Sequence, residues 1–89
     1  MTELEFLRKR IDSIDQKMVR LLEERMALAR RVGEYKAANN LPILDSEREK
    51  AVIQSRADML TNKEIKSAVA EIFEHIMRLS REYQGRING

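Results

Sequence analysis

The 89-residue sequence has no cysteine and no tryptophan, and it contains one proline, three glycines, two Phe and two Tyr. The absence of cysteine excludes disulfide bonds and thiolate metal sites. With so few aromatic side chains, little surface is available on which nucleic-acid bases could stack. The 17 Lys and Arg exceed the 15 Asp and Glu by only two, and the signs are interspersed rather than clustered. We therefore expect no nucleic-acid partner.

Long hydrophobic runs are also missing, because no apolar segment approaches the ~20 residues of a membrane-spanning helix. The first ten residues, MTELEFLRKR, lack the apolar centre of a signal peptide. We expect a soluble, cytoplasmic protein without a membrane partner. His75 is the single histidine and has no second His or Cys at ligand spacing, so we predict no metal site.

A series of apolar residues at alternating spacings of three and four dominates the first part of the chain. This apolar seam consists of Leu4, Leu7, Ile11, Ile14, Met18, Leu21, Leu28, Val32 and Tyr35, with Arg25 in its course. The spacing predicts a long helix that packs on another helix. A helix of about 33 residues would be ~50 Å long, whereas a compact domain of this size is roughly 30 Å across. A second copy of the chain or another protein must cover the part of the helix that extends beyond its own domain, and we predict a homodimer.

Capping patterns predict the ends of the first helix. Thr2 and Glu5 fit a capping box, which places its start near residue 3. Asn39 and Asn40 favour its end, since Pro42 follows and disfavours helix at the residue before it.

Two shorter helices are predicted after this one. Asp45 or Ser46 caps the second helix, which runs to about Met59. Residues 61–64 restart the chain as the third helix in capping-box form, with Thr61 as the cap, and residues 85–89 form a frayed tail or linker. Because strand alternation is absent, we predict one all-α domain over residues 1–89.

Arg25 lies on the apolar seam, where Leu or Ile would be expected. A guanidinium on an apolar surface costs several kcal/mol unless an anion meets it. Lys36 returns to nearly the same helix face ~16 Å along the axis, so the two side chains could hold a small anion between them. Arg8 lies ~25 Å from Arg25 along the same axis. It can reach the same small ligand only from the other subunit of an antiparallel pair.

The candidate residues for a site are charged or polar and lie at intervals along the predicted helices. They are Arg8, Arg25, Lys36, Arg48, Glu49, Ser80 and Gln84. Taken singly, each also has a structural explanation. A buried ion pair accounts equally well for Arg25, a solvated face for Arg8, a helix cap for Glu49, and the end of an amphipathic helix for Ser80 and Gln84.

Taken in order, four segments resemble those of the all-helical chorismate mutases at matching spacing. They are Leu7–Asp15, Leu22–Arg25 with Val32–Lys36, Pro42–Glu49, and Ser80 followed by Gln84. The resemblance covers about residues 4–84. It implies an intertwined, two-fold dimer of three-helix chains that rearranges chorismate to prephenate in phenylalanine and tyrosine biosynthesis. This rearrangement requires no cofactor.

The resemblance also implies a role for each of four cationic or amide side chains. Arg25 would bind one substrate carboxylate, and Arg8 of the partner chain would bind the other. Lys36 would lie at the ether oxygen and a carboxylate, with Gln84 as the second donor to that oxygen. Such donors favour the transition state, in which negative charge grows on the ether oxygen.

The remaining implied roles concern the ring hydroxyl and the polar wall of the site. Glu49 and the backbone near Asp45 would hold the hydroxyl, while Arg48 and Ser80 would complete the wall. The residues expected to be catalytic are Lys36, Gln84, Arg25 and Glu49.

Two other functions remain open at this point. The same scaffold could release pyruvate from isochorismate as a lyase. Alternatively, the chain could be a non-catalytic helical dimerisation or regulatory module of a larger enzyme.

Overall fold

The computed structural model describes residues 1–88, which form three α-helices joined by short turns. Helix α1 spans Glu3–Ala38, α2 spans Ser46–Asp58 and α3 spans Lys66–Asn88, with a short 3-10 helix at Lys63–Ile65 before α3. No strand occurs in the described range. The predicted all-α chain, with one very long N-terminal helix and two shorter ones, is therefore confirmed. Within the same range, no helix is both long enough and apolar enough to cross a membrane.

The first two helices begin where the capping patterns predict. The Thr2 hydroxyl accepts a hydrogen bond from the Glu5 backbone N–H at 3.2 Å and caps α1. Of the two candidates for the second cap, the structure selects Asp45 over Ser46. The Asp45 carboxylate accepts from the Arg48 backbone N–H at 3.0 Å.

The third helix begins later than the sequence predicts. Asn62, and not Thr61, is a cap, and it caps the short 3-10 helix before α3, because its side-chain oxygen accepts from the Glu64 backbone N–H at 3.1 Å. Helix α3 itself begins at Lys66. Helix α3 continues through Gly85 to residue 88, and residue 89 lies outside the described range, so the tail or linker predicted for residues 85–89 stays a prediction. A β-carbon at Gly85 would lie 3.9 Å from Ile43 Cδ1, so the segment between α1 and α2 (residues 39–45), called the linker below, packs against α3 at this glycine. Tertiary packing of this kind overrides the low helix propensity of glycine.

Helix α1 ends in a Schellman motif that turns the chain back toward the helix. Asn40 adopts a left-handed φ of 56°. Its N–H donates to the Ala37 carbonyl at 3.4 Å, and the Leu41 N–H donates to the Lys36 carbonyl at 2.8 Å. After the turn, the Lys36 ammonium donates to the Ile43 carbonyl at 2.7 Å. The helix end thus positions both Lys36 and the linker beside α3.

The described chain is elongated, with principal extents of 55 × 25 × 15 Å and a radius of gyration of 16.3 Å. A compact chain of this length would have a radius of gyration of about 12 Å. Helix α3 packs against both α1 and α2. Within residues 1–86, the fully buried apolar residues are Ala29, Val52, Ala57 and Met77.

The apolar seam is largely uncovered. Every residue from Met1 to Glu24 is exposed, so α1 packs within its own chain only beyond that point. On the seam, Leu4, Ile11 and Leu21 are 54%, 55% and 62% exposed. A contiguous apolar surface of this length is typical of a face that packs against another protein chain.

The left-handed residue at the end of α1 gives a stability prediction. We expect Asn40→Gly to raise the free energy of unfolding by up to about 1 kcal/mol, because glycine adopts positive φ without steric cost. Asn40→Val should lower it by about 1–2 kcal/mol, because a β-branched residue is strained there. Urea denaturation at equal protein concentration measures both. Asn39→Gly is the matched control and should be destabilising, because Asn39 has a φ of −110° and its side chain bonds the Tyr35 carbonyl. Equal stability of Asn40→Val and wild type would contradict this description of the turn.

Candidate functional site

A cavity of about 300 Å³ lies between the three helices and the linker. Its apolar lining residues are Leu28, Ala29, Val32, Ile43, Val52 and Met77. Its polar lining residues are Arg25, Lys36, Asp45, Arg48, Glu49, Ser80, Arg81 and Gln84. Seven of the eight predicted substrate-binding residues therefore lie around one cavity. The exception is Arg8, which is exposed on the far part of α1.

Helical periodicity explains why residues so far apart in sequence share this cavity. The lining residues of α3 have relative positions i, i+3, i+4 and i+7, which places them on one face, and they are Met77, Ser80, Arg81 and Gln84. Those of α1 run from Arg25 to Lys36 with the same kind of spacing. Because α3 packs against both other helices, the face of α3 that carries these four residues closes the cavity.

Arg25 is a half-buried cation of the site. Its Nη1 donates to the Ser80 hydroxyl at 3.1 Å, and no carboxylate among residues 1–88 forms an ion pair with it. Burial, followed by the positive charges of Arg56 and Arg48, lowers the pKa of Arg25 from its ordinary value. A guanidinium in these surroundings is destabilised until an anion enters beside it.

Lys36 is the second cation held at the cavity wall. Its ammonium has three N–H donors, and one of them is bound to the Ile43 carbonyl at 2.7 Å. This bond orients the side chain and leaves donors for a ligand. Lys36 and Arg25 line the same cavity, as their spacing on α1 predicts.

The α2 side of the cavity carries two carboxylates with different partners. Asp45 is occupied in capping α2 through the Arg48 backbone N–H. Glu49 Oε2 lies 3.4 Å from Arg81 Nε, and its side chain is only 19% exposed. Arg81 was not among the candidate residues predicted from the sequence. Its position between Ser80 and Gln84, on the same helix face, was the signal that could have identified it.

Gln84 places an unusual polar atom beside the cavity. The residue is 7% exposed, and its side-chain oxygen is buried without a hydrogen-bond partner in the described chain. An unpaired buried amide group costs about 1–3 kcal/mol. Gln84 therefore presents a polar amide group at the wall of the cavity.

The charges around the cavity do not cancel. Its four cationic side chains, Arg25, Lys36, Arg48 and Arg81, face two carboxylates, Asp45 and Glu49, which leaves a net charge of +2. Apolar walls lower the local dielectric constant and so strengthen the attraction of this positive charge for an anion. The arrangement suits a small organic molecule with two negative charges. Elsewhere in residues 1–88, no group of three or more His, Cys, Asp or Glu could hold a metal ion.

Comparison with known proteins adds an independent finding. The family model described as chorismate mutase type II matches residues 7–85. The chain is 42% identical over 87 residues to the bifunctional chorismate mutase/prephenate dehydratase of Aquifex aeolicus, which covers 98% of this chain and 18% of that protein. It is 48% identical over 46 residues to the chorismate mutase of Methanocaldococcus jannaschii, covering 52% of this chain and 46% of that one.

A third relative is the T-protein of Haemophilus influenzae, 35% identical over 78 residues, which are 88% of this chain and 20% of the relative. The chain thus spans about a fifth of the length of the bifunctional and T-protein relatives. The shared region includes nearly all of this chain in both alignments.

Proposed function

This chain belongs to the chorismate mutase type II family, and from that premise we propose that it rearranges chorismate to prephenate. Residues 1–89 form a single mutase domain in this proposal. The observation that carries it is the half-buried Arg25, which lacks an anionic partner among the described residues in a cavity of net charge +2. Chorismate is a dicarboxylate of matching charge.

The cationic residues act by holding the substrate in its reactive shape. The rearrangement is intramolecular, so the barrier falls when a flexible molecule is fixed in a near-attack geometry. Arg25 binds one carboxylate with its planar pair of donors. Ser80, which accepts from Arg25 at 3.1 Å, orients that guanidinium before the substrate arrives. Arg48 completes the positive wall.

Lys36 and Gln84 act on the bond that breaks. As the C–O bond lengthens, negative charge grows on the ether oxygen. A lysine ammonium and a glutamine N–H directed at that oxygen interact more strongly with the transition state than with the ground state. The Lys36–Ile43 hydrogen bond supports this role, because it fixes the ammonium in place without consuming all its donors.

Glu49 and the backbone near Asp45 hold the ring hydroxyl at the other end of the substrate. Glu49 is suited to this because one of its oxygens faces Arg81 and the other has no partner among the described residues. A carboxylate oxygen is a strong acceptor for a hydroxyl donor. The Asp45 side chain caps α2, so the backbone of that turn is its contribution.

The site is completed by a second chain in an intertwined, two-fold dimer. The exposed apolar seam from Leu4 to Leu21 supports this arrangement, since it gives α1 a surface that its own chain does not cover. Two antiparallel copies of α1 would place Arg8 of each chain near Arg25 of the other. The second substrate carboxylate then binds the partner's Arg8, and the dimer has two equivalent sites.

The direct test follows chorismate absorbance with the purified chain and identifies the product. We expect chorismate loss matched by prephenate formation. Pyruvate release from isochorismate, without turnover of chorismate, would identify a lyase on this scaffold instead. No turnover of either compound would favour a non-catalytic dimerisation module.

Gln84→Glu tests the donor to the ether oxygen. A carboxyl group can donate to that oxygen only while protonated, so we expect activity at acidic pH that falls as the pH rises and the carboxyl ionises. The pH profile of kcat/KM, compared with wild type, measures this. Gln54→Glu is the matched control, because Gln54 is exposed on α2 away from this cavity and its variant should keep the wild-type profile. An unchanged profile in Gln84→Glu would remove Gln84 from the donor role.

Mixing inactive variants tests the contribution of Arg8 across the dimer. Arg8→Ala and Arg25→Ala should each lose turnover. After subunit exchange, half the dimers are mixed and each has one intact site, so activity should recover to roughly a quarter of wild type. The control mixes Arg25→Ala with Lys36→Ala, whose lesions belong to the same chain's cavity, and should show no recovery. No recovery with Arg8→Ala, despite demonstrated exchange, would contradict the shared site.

A further inference from the structure

Arg81 lies in the cavity but has no role in the mechanism described above. It follows Ser80 on α3 and belongs to the helix face that also carries Met77 and Gln84. Its side chain is 32% exposed, which is less than the exposure of the surface ion pairs elsewhere in the described chain. Its position therefore requires an explanation within the site.

The contact of Arg81 is with Glu49, across the α2–α3 interface. Arg81 Nε lies 3.4 Å from Glu49 Oε2, and the Glu49 side chain is 19% exposed. A carboxylate so far removed from water needs a positive partner. Arg81 is its ion-pair partner among residues 1–88, while Glu49 Oε1 makes no hydrogen bond or ion pair in that range.

We infer that Arg81 is a positioning residue that fixes the Glu49 carboxylate so that its free oxygen accepts a hydroxyl of the bound substrate. This inference rests on the proposed function. A glutamate side chain has three rotatable bonds, and a site residue that is already held in place loses less conformational freedom when the substrate binds. Arg81 thus determines specificity for a ring that carries a hydroxyl group, and it does so through Glu49.

The arrangement also separates the charges of the cavity into two groups. Arg81 and Glu49 neutralise each other at one end. Arg25 and Lys36 have no ion-pair partner among the described residues and remain available to a dianion. Arg81 thereby orients an acceptor without competing with those residues for the substrate carboxylates.

A double-mutant cycle in the full chain tests the inference. We expect Arg81→Met to lower kcat/KM for chorismate by about tenfold, within the range of coupling seen for contacting residues. In a Glu49→Gln background the same change should alter kcat/KM by less than about twofold. Arg81→Lys, which keeps the positive charge, should retain most of the activity. Thermal unfolding of each variant at equal concentration detects any loss of folding.

A second substrate distinguishes this role from a purely structural one. With a chorismate analogue in which hydrogen replaces the ring hydroxyl, Arg81→Met should have no more than about a twofold effect. Arg78→Met is the matched control, because Arg78 forms a 2.9 Å ion pair with Glu82 on the exposed side of the same helix, at 49% and 55% exposure. It should leave kcat/KM unchanged for both substrates.

Two results would overturn the inference while leaving the proposed function intact. One is additive losses for Arg81→Met and Glu49→Gln in an active wild-type background. The other is an equal loss with chorismate and its deoxy analogue, which would indicate direct contact between Arg81 and a carboxylate. Absence of chorismate turnover in the wild-type chain would instead refute the proposed function, and this inference with it.

Discussion

The structure depends on a positive charge that no carboxylate among residues 1–88 neutralises. Arg25 interrupts an apolar seam, and its polar contact is the neutral hydroxyl of Ser80. Burial and two neighbouring arginines lower its pKa, which means that the charged form is disfavoured in the folded chain. A leucine at this position would pack better. Retaining a guanidinium there sacrifices stability for a prepared anion site, as is common where function and stability conflict.

The exposed half of α1 supports the proposed dimer. A domain of this size buries little apolar surface, and only four apolar residues are fully buried within residues 1–86. The apolar residues of α1 before Glu24 are exposed, and Gln84 Oε1 has no hydrogen-bond partner in the described chain. In the proposed dimer, the exposed half of α1 packs against α1 of the partner chain. Arg8 of each chain then lies at the cavity of the other. Assembly and completion of the site are then one event.

Local sequence patterns predicted the helices well, because capping and periodicity act over a few residues. The Thr2 cap and the end of α1 at Asn39 and Asn40 are observed. The third helix was less predictable. Thr61 and Asn62 are both good caps, and α3 continues past Gly85 because that residue packs against a linker distant in sequence.

Site residues could be predicted from the sequence where their polarity differs from that of the neighbouring residues on the same helix face. Arg25 is conspicuous on an apolar seam, helical spacing added Lys36, and resemblance to a known family supplied the roles of Lys36, Glu49 and Gln84. Arg81 was missed, because an arginine on a mixed helix face has many equivalent explanations in sequence alone. The role proposed for Arg81 follows from its contact with Glu49, which lies on another helix and is brought within 3.4 Å only by folding.

We expect Arg25 to bind an anionic ligand, and binding of the product prephenate measures this without turnover. We would compare thermal unfolding of wild type and Arg25→Met, at equal protein concentration, with and without prephenate. A ligand at a hundred times its Kd stabilises the folded state by about 2.7 kcal/mol. We expect prephenate to raise the unfolding midpoint of wild type clearly and that of Arg25→Met not at all, and we expect the ligand-free midpoint of the variant to lie at or above that of wild type. An equal rise in both proteins would contradict this expectation.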